Sequence, residues 1–270
     1  MAPGASNEPR LVSRWAYYLG SILPMLRSSR QPFRLAAFML GASRGPFLWE
    51  LRSGVRFRTR TPLDAWVVKE TWLDRFYAVA GTPVVDGWTV LDIGAGVGDF
   101  AVLAAKASPS GRVFAFEPAE DAFVLLEENL RLNGVTNVVP FREALGAPGD
   151  GLGMAAGPST VRSRTFSDAE GRPAVRPVPT VSLEDALDRL GTPTCDLAKL
   201  DVEGWEERIL LGARPETLRR IRHFVLEVHE ERGSARGDLL AGLFAGLGYE
   251  TKRTPNPAWP ELSWLYARRR

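Results

Sequence analysis

A strand, a glycine-rich turn and a helix follow one another in residues 91–100, which read LDIGAGVGDF. Closely spaced glycines let the chain turn tightly at the end of an apolar strand, and they leave no Cβ atom in the way of a ligand. In parallel sheets such a turn brings a nucleotide-like ligand against the backbone at the carboxyl end of the strand. The segment therefore predicts an α/β fold with a ligand site at this turn. A turn that only joins a strand to a helix is the alternative.

The spacing of the glycines indicates which ligand the turn binds. A dinucleotide fingerprint has the spacing G-x-G-x-x-G, whereas Gly94, Gly96 and Gly98 give G-x-G-x-G. An acidic residue, Asp92, precedes the turn, and D-x-G-x-G-x-G is typical of enzymes that transfer methyl groups from S-adenosylmethionine (SAM). We therefore predict that Asp92, Gly94, Ala95 and Gly96 bind SAM.

Two further acidic residues follow the next two strands. Glu117 stands about 20 residues after the glycine turn, where a carboxylate accepts hydrogen bonds from both ribose hydroxyls of a nucleotide. The alternative is an acidic helix start with Pro118 in the first turn. Glu143 and Ala144 follow the third strand and are predicted to contact the adenine, unless Glu143 is simply exposed to solvent. We predict Glu117, Pro118, Glu143 and Ala144 as cofactor-binding residues.

Chemically active side chains also follow the fourth and fifth strands. Residues 199–206 read KLDVEGWE, so Asp201 ends a strand and Glu203 begins the following helix. In the fifth strand, the two-residue period points Glu227 and His229 to the same face. Since ligands lie beyond the carboxyl ends of parallel strands, we expect Asp201, Glu227 and His229 to lie at the transferred methyl group, and we predict Asp201 as a cofactor-binding residue as well. An acidic helix start and a structural histidine–carboxylate pair are the alternatives.

Two chemistries fit these three catalytic candidates. In one, His229 removes the proton of an acceptor hydroxyl while Glu227 or Asp201 orients its ring. In the other, Asp201, Glu227 and His229 hold one Mg²⁺ or Mn²⁺ ion, which lowers the pKa of the hydroxyl. We favour the metal-free base, because these ions prefer oxygen ligands to imidazole.

Residues 88–270 alternate between strand and helix patterns, which predicts a doubly wound, mainly parallel sheet. Residues 146–173 interrupt the alternation, because they are rich in Gly, Ser, Ala and Pro, and are expected to form a long loop. The predicted strands are 89–93, 112–117, 138–142, 175–181, 197–202, 223–228, 249–253 and 263–267.

Residues 1–87 have a different pattern, which predicts a second region. We expect an N-terminal accessory region at 1–87, which lids the acceptor site, and a SAM-binding methyltransferase domain at 88–270. The predicted elements of the accessory region are two short helices between residues 10 and 40, interrupted at Pro24 and at 28–32, a hairpin at 47–51 and 55–59, and a helix at 63–79.

These motifs together resemble the FkbM family of SAM-dependent methyltransferases, over roughly residues 88–250. The resemblance implies a class I methyltransferase (Rossmann-like) fold with a seven-stranded sheet, and transfer of a methyl group to a hydroxyl of a sugar, polyketide or other metabolite. The family's glycine loop usually reads Gly-Ala-Asn, whereas this chain has Gly94-Ala95-Gly96, a departure that concerns one polar contact to SAM. The residues that carry the resemblance are Asp92-Ile-Gly-Ala with Gly98, Phe116-Glu117-Pro118 with Asn129 and Asn133, Ala144-Leu145-Gly146, Val181-Ser182-Leu183, residues 199–206 and Leu226-Glu-Val-His229.

Composition limits the other classes of function. One cysteine and two histidines exclude a disulfide framework and a zinc site rich in Cys or His. The net charge of +2 gives no overall basic field for nucleic acid, yet residues 1–87 hold 12 Lys and Arg against 6 Asp and Glu. An RNA (tRNA) methyltransferase is therefore one alternative, and a non-enzymatic protein that docks on a membrane or a partner through its N-terminal segment is another. No apolar stretch is long enough to span a bilayer, so we expect a cytoplasmic enzyme with a small-molecule, sugar or glycan acceptor.

Overall fold

The computed structural model describes residues 11–43, 45–80, 83–147, 152–155, 165–167, 175–230, 235–256 and 258–269. The helices of these residues are α1 (Leu11–Ser28), α2 (Pro32–Met39), α3 (Pro62–Lys69), α4 (Phe76–Ala80), α5 (Asp99–Ala107), α6 (Glu120–Leu132), α7 (Leu183–Asp188), α8 (Glu206–Gly212), α9 (Pro215–Arg219) and α10 (Arg236–Gly246). The strands are β1 (Phe47–Glu50), β2 (Arg56–Thr59), β3 (Thr89–Ile93), β4 (Arg112–Phe116), β5 (Val138–Phe141), β6 (Ala144–Leu145), β7 (Leu152–Ala155), β8 (Thr165–Ser167), β9 (Val175–Pro177), β10 (Thr180–Val181), β11 (Cys195–Leu200), β12 (Ile221–His229), β13 (Tyr249–Pro255) and β14 (Leu262–Arg269).

The central sheet has seven strands in the order β13-β14-β12-β11-β3-β4-β5. The strands β3, β4, β5, β11 and β12 run parallel, while β14 lies antiparallel between β12 and β13. The inner strands are nearly continuous buried runs, as is usual where helices cover both faces of a sheet. The predicted seven-stranded, mainly parallel sheet is thus confirmed. From β3 the chain continues outward to β4 and β5, and it then returns on the other side of β3 as β11. The strand order therefore reverses at β3, and ligands of such sheets bind at the point where the order reverses.

Two hydrophobic clusters cover the two faces of this sheet. Val90 and Leu91 are neighbours in β3 and point to opposite faces, and each is fully buried in a different cluster. The first cluster includes residues of α5 and α6, and the second includes residues of α7, α8, α9 and α10. The helices therefore cover the faces of the sheet, which leaves the carboxyl ends of its strands for a site.

The N-terminal region packs on the first face and shares its core. The predicted hairpin is confirmed, because β1 and β2 pair antiparallel. Trp49 and Phe57 of the hairpin and Leu35 of α2 are completely buried in the same cluster as Val90 and Phe100. Residues of the hairpin, α2 and the sheet thus form one continuous core.

Asn129 of α6 and Asn133, which directly follows this helix, attach the hairpin to the part of the chain that carries the glycine turn. The Asn129 side chain is buried; its Oδ1 accepts a hydrogen bond from the amide of Arg58 (2.6 Å), and its Nδ2 donates to the carbonyl of Val97 (2.8 Å). Oδ1 of Asn133 accepts from the amide of Arg56 (3.0 Å). These side-chain amides take the place of a neighbouring strand at the edge of β2.

Helix α1 continues through Pro24, where an interruption was predicted. Proline cannot donate a hydrogen bond to the carbonyl four residues earlier, and its ring crowds that turn. Here the earlier residue is Gly20, which has no side chain and is exposed, so the turn can open slightly and water can bind the free carbonyl. The interruption predicted at 28–32 is confirmed, because α1 ends at Ser28 and α2 begins at Pro32.

The single helix predicted at 63–79 is instead α3, a π-helical turn (Glu70–Asp74) and α4. The π-helical turn is anchored on α5, since Thr71 Oγ1 donates to a carboxylate oxygen of Asp99 and Trp72 Nε1 donates to the Asp99 carbonyl (3.0 Å). Such widened turns often occur at functional sites. Here the turn carries Glu70 and Thr71 into the wall of the cavity described below.

The long loop predicted at 146–173 is only partly described, and its described parts include strands. β7 pairs antiparallel with β8 and with β9 in a small separate sheet, and the rest of the loop lies outside the described residues. The strand predicted at 175–181 is divided into β9 and β10, and β10 pairs with β6. None of the helices in the described ranges is long and apolar enough to cross a membrane.

Candidate active site

A cavity of about 540 Å³ lies at the carboxyl ends of β3, β4, β11 and β12. The sheet and its loops contribute one part of the wall. The helices α1–α4, the π-helical turn and residues 256–264 contribute the other part. From the sheet side the wall includes Ile93, Gly94, Ala95, Gly96, Val97, Asp99, Phe116, Glu117, Pro118, Glu143, Ala144, Leu145, Lys199, Asp201, Val202, Glu203, Trp205, Glu227 and His229. The other part includes Tyr18, Met39, Pro62, Leu63, Trp66, Val67, Glu70, Thr71, Phe76, Tyr77, Asn256, Trp259, Glu261, Leu262 and Trp264.

The glycine turn is shaped by close contacts on two of its three glycines. Gly94 has a φ of 76°, and a Cβ atom there would overlap the backbone carbonyl of Asp201. Gly98 has a φ of 85°, and a Cβ atom there would lie 2.6 Å from Cδ1 of Leu126. At Gly96, by contrast, a Cβ atom would meet no described protein atom within 4 Å. The packing of the protein therefore leaves no room for a side chain at Gly94 or Gly98, whereas the space beside Gly96 is part of the cavity.

The carboxylate of Glu117 holds the turn in place. Its Oε2 accepts a hydrogen bond from the amide of Gly96 (2.8 Å), and its Oε1 accepts from the amide of Ala119 (2.8 Å). Burial raises the pKa of Glu117 to about 7, although both backbone hydrogen bonds act in the opposite direction. Each oxygen keeps acceptor capacity toward the cavity, where two hydroxyls of a ribose are suitable donors.

Asp92 lies beneath the glycine turn and outside the wall of the cavity. It is fully buried, and its Oδ1 lies 3.2 Å from Nζ of Lys199. Burial raises the pKa of Asp92, and Lys199 acts in the opposite direction. Lys199 also donates a hydrogen bond to the carbonyl of Gly94 (2.6 Å). Asp92 therefore acts on the turn through Lys199, a role for that lysine that sequence reasoning missed.

Asp201 connects the end of β11 to α4. Its Oδ2 accepts a hydrogen bond from the hydroxyl of Tyr77 (2.9 Å) and lies 3.7 Å from Nζ of Lys199. Burial and the nearby carboxylates raise the pKa of Tyr77, so this hydroxyl remains a neutral donor. Tyr77 also packs edge-on against Phe100, with the ring centres 5.1 Å apart. Asp201 is thus a fixed carboxylate between the glycine turn and the N-terminal region.

His229 is held by two carboxylates that follow β11. Its Nδ1 lies 3.0 Å from Oε1 of Glu206, and its Nε2 lies 3.6 Å from Oε2 of Glu203. Burial acts to lower the pKa of His229, but the hydrogen bond and the charge of Glu206 outweigh it and raise the pKa to about 10. The ring is therefore protonated near neutral pH. Glu206 takes the orienting position that was predicted for Glu227 or Asp201.

Glu206 was missed as a functional residue because it looks like an ordinary acidic helix start. Its side chain is completely buried, and its Oε1 also accepts hydrogen bonds from the amides of Val202 (3.3 Å) and Gly204 (3.1 Å). Glu203 lies between Val202 and Gly204 in this loop and has a φ of 54°, which is rare for a residue other than glycine. Glu206 thus fixes both this loop and the ring of His229.

Glu227 presents a carboxylate to the cavity without a hydrogen-bond donor among the described residues. Burial and the neighbouring charge of Asp201 raise its pKa well above the usual range, whereas protonated His229 acts in the opposite direction. A desolvated carboxylate beside a cation is suited to accept a proton near neutral pH.

The N-terminal region adds an aromatic and acidic wall that sequence reasoning did not identify. Trp66 Nε1 donates a hydrogen bond to Oε1 of Glu70 (2.9 Å), and burial raises the pKa of Glu70 to about 7. The rings of Tyr18 and Trp66 lie 4.9 Å apart, and those of Phe76 and Trp264 lie 4.3 Å apart. Helical periodicity alone does not distinguish aromatic residues that face a cavity from those that fill a core.

The predicted cofactor residues line the cavity with the exception of Asp92, and the three predicted catalytic residues line it as well. Glu143 is half-buried and forms an ion pair with Arg189, whose guanidinium lies 5.1 Å from the ring centre of Phe141. In the described part of the chain, no group of three or more His, Cys, Asp or Glu side chains is arranged to hold a metal ion. This geometry gives no support to the alternative in which Asp201, Glu227 and His229 share one ion.

The residues of this cavity fit a SAM molecule. The turn offers backbone without side chains at Gly94 and Gly96, and the open space beside Gly96 adjoins the carboxylate of Glu117. The carboxylates of Asp201 and Glu227 also line the cavity, where they favour a positively charged ligand group.

Comparison with known proteins agrees with this geometry. The family model described as Methyltransferase FkbM domain matches residues 92–251. The 31-O-demethyl-FK506 methyltransferase FkbM of Streptomyces tacrolimicus is 29% identical over 76% of this chain and 89% of its own length. The hexuronic acid methyltransferase AglP of Haloferax volcanii is 26% identical over 72% of this chain and 78% of its own length.

Two other similarities extend over longer or more distant proteins. The AMB antimetabolite synthetase AmbE of Pseudomonas aeruginosa is 28% identical over 68% of this chain, which spans only 10% of that protein. The crystal structure of M. jannaschii TYW2 in complex with AdoMet superposes with a TM-score of 0.46 at 17% identity, covering 84% of this chain and 86% of TYW2. Because the family model covers more than half of the chain, the protein belongs to the FkbM methyltransferase family and is a SAM-dependent methyltransferase with a class I fold.

Proposed function

We propose that the protein is an O-methyltransferase that acts on a hydroxyl of a small molecule, sugar or glycan. One observation carries the proposal: a single cavity joins the glycine turn and Glu117 to Asp201, Glu227 and His229. Methyl transfer needs both parts side by side, because the acceptor oxygen must approach the methyl group in line while it loses its proton. The relatives named as 31-O-demethyl-FK506 and hexuronic acid methyltransferases support a hydroxyl acceptor.

The sheet side of the cavity would hold the cofactor. When bound, SAM supplies an electrophilic methyl group on a positively charged sulfur. The backbone of Gly94–Gly96 and the carboxylate of Glu117 would bind the nucleoside, with Glu143 and Ala144 beside the adenine. This assignment is supported by the acceptor capacity that Glu117 keeps after its two backbone hydrogen bonds.

In this proposal Glu227 accepts the proton of the acceptor hydroxyl, and His229 acts on Glu227 as a nearby cation. The pKa of about 10 keeps the His229 ring protonated at neutral pH, which disfavours the ring itself as the base. Glu227 has the properties of a base: it faces the cavity, none of the described residues donates a hydrogen bond to it, and its pKa is raised. Asp201, which accepts the hydrogen bond of Tyr77, would orient the acceptor between the two regions.

The charge of the acceptor side favours a neutral, hydroxyl-rich acceptor. Glu70, Glu203, Glu227 and Glu261 line the cavity, and Glu261 is paired with Arg14. Among the described residues of the wall, the two cations, Lys199 and His229, are already paired with carboxylates. Carboxylates accept hydrogen bonds from hydroxyl groups but repel an acidic acceptor. The aromatic rings of this wall add flat apolar surfaces on which a sugar or a macrocycle can lie.

The test is to incubate the protein with SAM labelled with carbon-13 in the methyl group and with panels of possible acceptors. The panels are neutral glycosides and polyols, the corresponding uronic acids, hydroxylated macrocycles and bulk tRNA. We expect label in a neutral hydroxyl compound, with a carbon chemical shift typical of a methyl ether. Label on a nitrogen, or on tRNA alone, would contradict the proposal. A Glu227→Gln protein serves as the control for label that does not depend on the site.

A further inference from the structure

The first helix exposes a row of large apolar side chains. Trp15, Leu19, Ile22 and Leu23 are 62%, 64%, 49% and 51% exposed. Their spacing of four, three and one residues places them on one face of α1, while Met25 lies on the buried side. Single exposed apolar residues are common, but a row of four on one helix marks a contact surface.

The second helix repeats this arrangement. Phe33 of α2 and Leu40, which directly follows α2, are 89% and 84% exposed, whereas Leu35 and Phe38 on the opposite face are buried in the core. The two helices pack on each other, so the exposed apolar residues belong to one helical pair. The core already holds the inner faces, and among the described residues nothing covers the outer ones.

The charge of the same segment has one sign. Residues 11–49 contain no Asp or Glu, and they include Arg27, Arg30 and Arg34, whose side chains are exposed. No acidic side chain in the described ranges lies within ion-pair distance of these three arginines. A surface that combines protruding aromatic and aliphatic groups with unpaired arginines is complementary to a bilayer with anionic headgroups.

We propose that α1 and α2 dock on the surface of a membrane that contains anionic lipids. The apolar side chains would enter the region between headgroups and acyl chains, and the arginines would contact the phosphates. The attachment is peripheral, since none of the described helices is long and apolar enough to cross a membrane. Tyr18 of α1 and Met39, the last residue of α2, also line the cavity. Docking would therefore bring the acceptor side of the cavity close to the lipid surface. This inference does not depend on the identity of the acceptor.

The experiment is sedimentation of the full chain with vesicles of phosphatidylcholine alone and of phosphatidylcholine with phosphatidylglycerol. We expect binding to the anionic vesicles that weakens as salt is added. The double variant Leu19→Ser/Phe33→Ser should lower the affinity at least about tenfold, because two exposed apolar groups are removed. The variant Arg30→Glu/Arg34→Glu should remove the preference for anionic lipid.

Matched controls separate docking from general effects of the changes. Val124 and Leu239 are 53% and 46% exposed on α6 and α10, so Val124→Ser/Leu239→Ser should leave vesicle binding unchanged. Arg131 is exposed on α6, and Arg131→Glu should also leave it unchanged. Circular dichroism and the affinity for S-adenosylhomocysteine verify that each variant is folded.

Three results would overturn the proposal. The first is the absence of binding to anionic vesicles, and the second is equal binding of the wild type and the two docking variants. The third is a dimer of the chain, seen by sedimentation velocity without lipid, that Leu19→Ser/Phe33→Ser dissociates, which would assign the surface to a second copy. Because S-adenosylhomocysteine binding is measured in parallel, a failure of docking is distinguishable from a failure of the methyltransferase site.

Discussion

Glu117 combines burial with two backbone hydrogen bonds, and this combination makes its ionisation sensitive to a ligand. Its pKa is about 7 without ligand because burial outweighs the hydrogen bonds. Ribose hydroxyls bind the ionised carboxylate more strongly, so the affinity for S-adenosylhomocysteine should rise with pH up to about 7 and then level off. We expect Glu117→Ala to cost about 2–4 kcal/mol of binding free energy, and Glu117→Gln to remove the pH dependence. Calorimetry across about pH 5 to 8 measures both effects.

Glu70 provides the control for this experiment. Its pKa is also raised to about 7 by burial, and it also lines the cavity, but it lies beside Trp66 in the N-terminal region. Glu70→Gln should therefore keep both the affinity and its pH dependence. If Glu117→Gln keeps them too, Glu117 does not bind the ribose.

Glu227 and His229 should differ in their effect on turnover. Glu227→Gln removes the proposed base and should lower kcat roughly 10²–10⁴-fold with little change in the affinity for S-adenosylhomocysteine. His229→Ala removes a cation that lowers the pKa of Glu227, so the rising limb of kcat against pH should move to higher pH. A Glu227→Gln enzyme with full activity would exclude Glu227 as the base. An unchanged dependence of kcat on pH in His229→Ala would exclude the role of His229 as the cation that lowers the pKa of Glu227. Activity that is lost on chelation and restored by Mg²⁺ or Mn²⁺ would favour the alternative in which a metal ion binds at the site.

At the level of residues, strand ends were predictable and long-range partners were not. Apolar runs locate the ends of β4, β11 and β12, and therefore the positions of Glu117, Asp201 and Glu227. Tyr77, in contrast, reaches Asp201 across 124 positions of the chain, and no local pattern marks such a contact. The orienting role of Glu206 was equally hidden, because its partner His229 lies in another strand.

The turn between β3 and α5 is the element with the sharpest steric demands, and its glycines should separate stability from binding. Gly94→Ala places a Cβ atom on the carbonyl of Asp201, so it should destabilise the fold by several kcal/mol. Gly96→Ala meets no described protein atom and should cost only about 1–2 kcal/mol for its positive φ, yet it should weaken S-adenosylhomocysteine binding because the added methyl group enters the cavity. Denaturant unfolding and calorimetry on both variants check this. Equal losses of stability in the two variants would contradict it.

At the level of elements, periodicity predicted the strands better than the N-terminal helices. The bounds of β3 agree with the prediction, because an apolar run and a glycine turn mark them clearly. Continuation of α1 through Pro24 depends on an exposed glycine one turn earlier, and the π-helical turn depends on the contacts of Thr71 and Trp72 with Asp99. The π-helical turn follows from tertiary contacts, which local pattern does not contain, whereas the continuation of α1 follows from the exposure of Gly20, which the helical pattern alone does not give.

At the scale of the whole molecule, several buried carboxyl groups whose ionised form is disfavoured lie around one cavity. Burial raises the pKa of Asp99 to about 6 and those of Glu70 and Glu117 to about 7, and it raises that of Glu227 as well. The folded protein therefore binds more protons than the unfolded chain between about pH 4 and 7. The pKa of His229 is raised to about 10, so its protonated form stabilises the fold below about pH 6.5, and this stabilisation is lost as the pH rises toward 10.

Both effects have the same sign, so the free energy of unfolding without ligand should be greatest near about pH 4 and should fall by a few kcal/mol by about pH 8. Urea unfolding at several pH values measures this. The double variant Glu70→Gln/Glu117→Gln should flatten the decrease, whereas Glu216→Gln, at an exposed position in α9, should leave it unchanged.

SAM carries a positive sulfonium and S-adenosylhomocysteine does not, so SAM should reduce the decrease more than S-adenosylhomocysteine. A stability that increases from about pH 5 to 8 would mean that the buried carboxylates are stabilised in their ionised form, and it would contradict the proposed role of Glu227 as a base with a raised pKa.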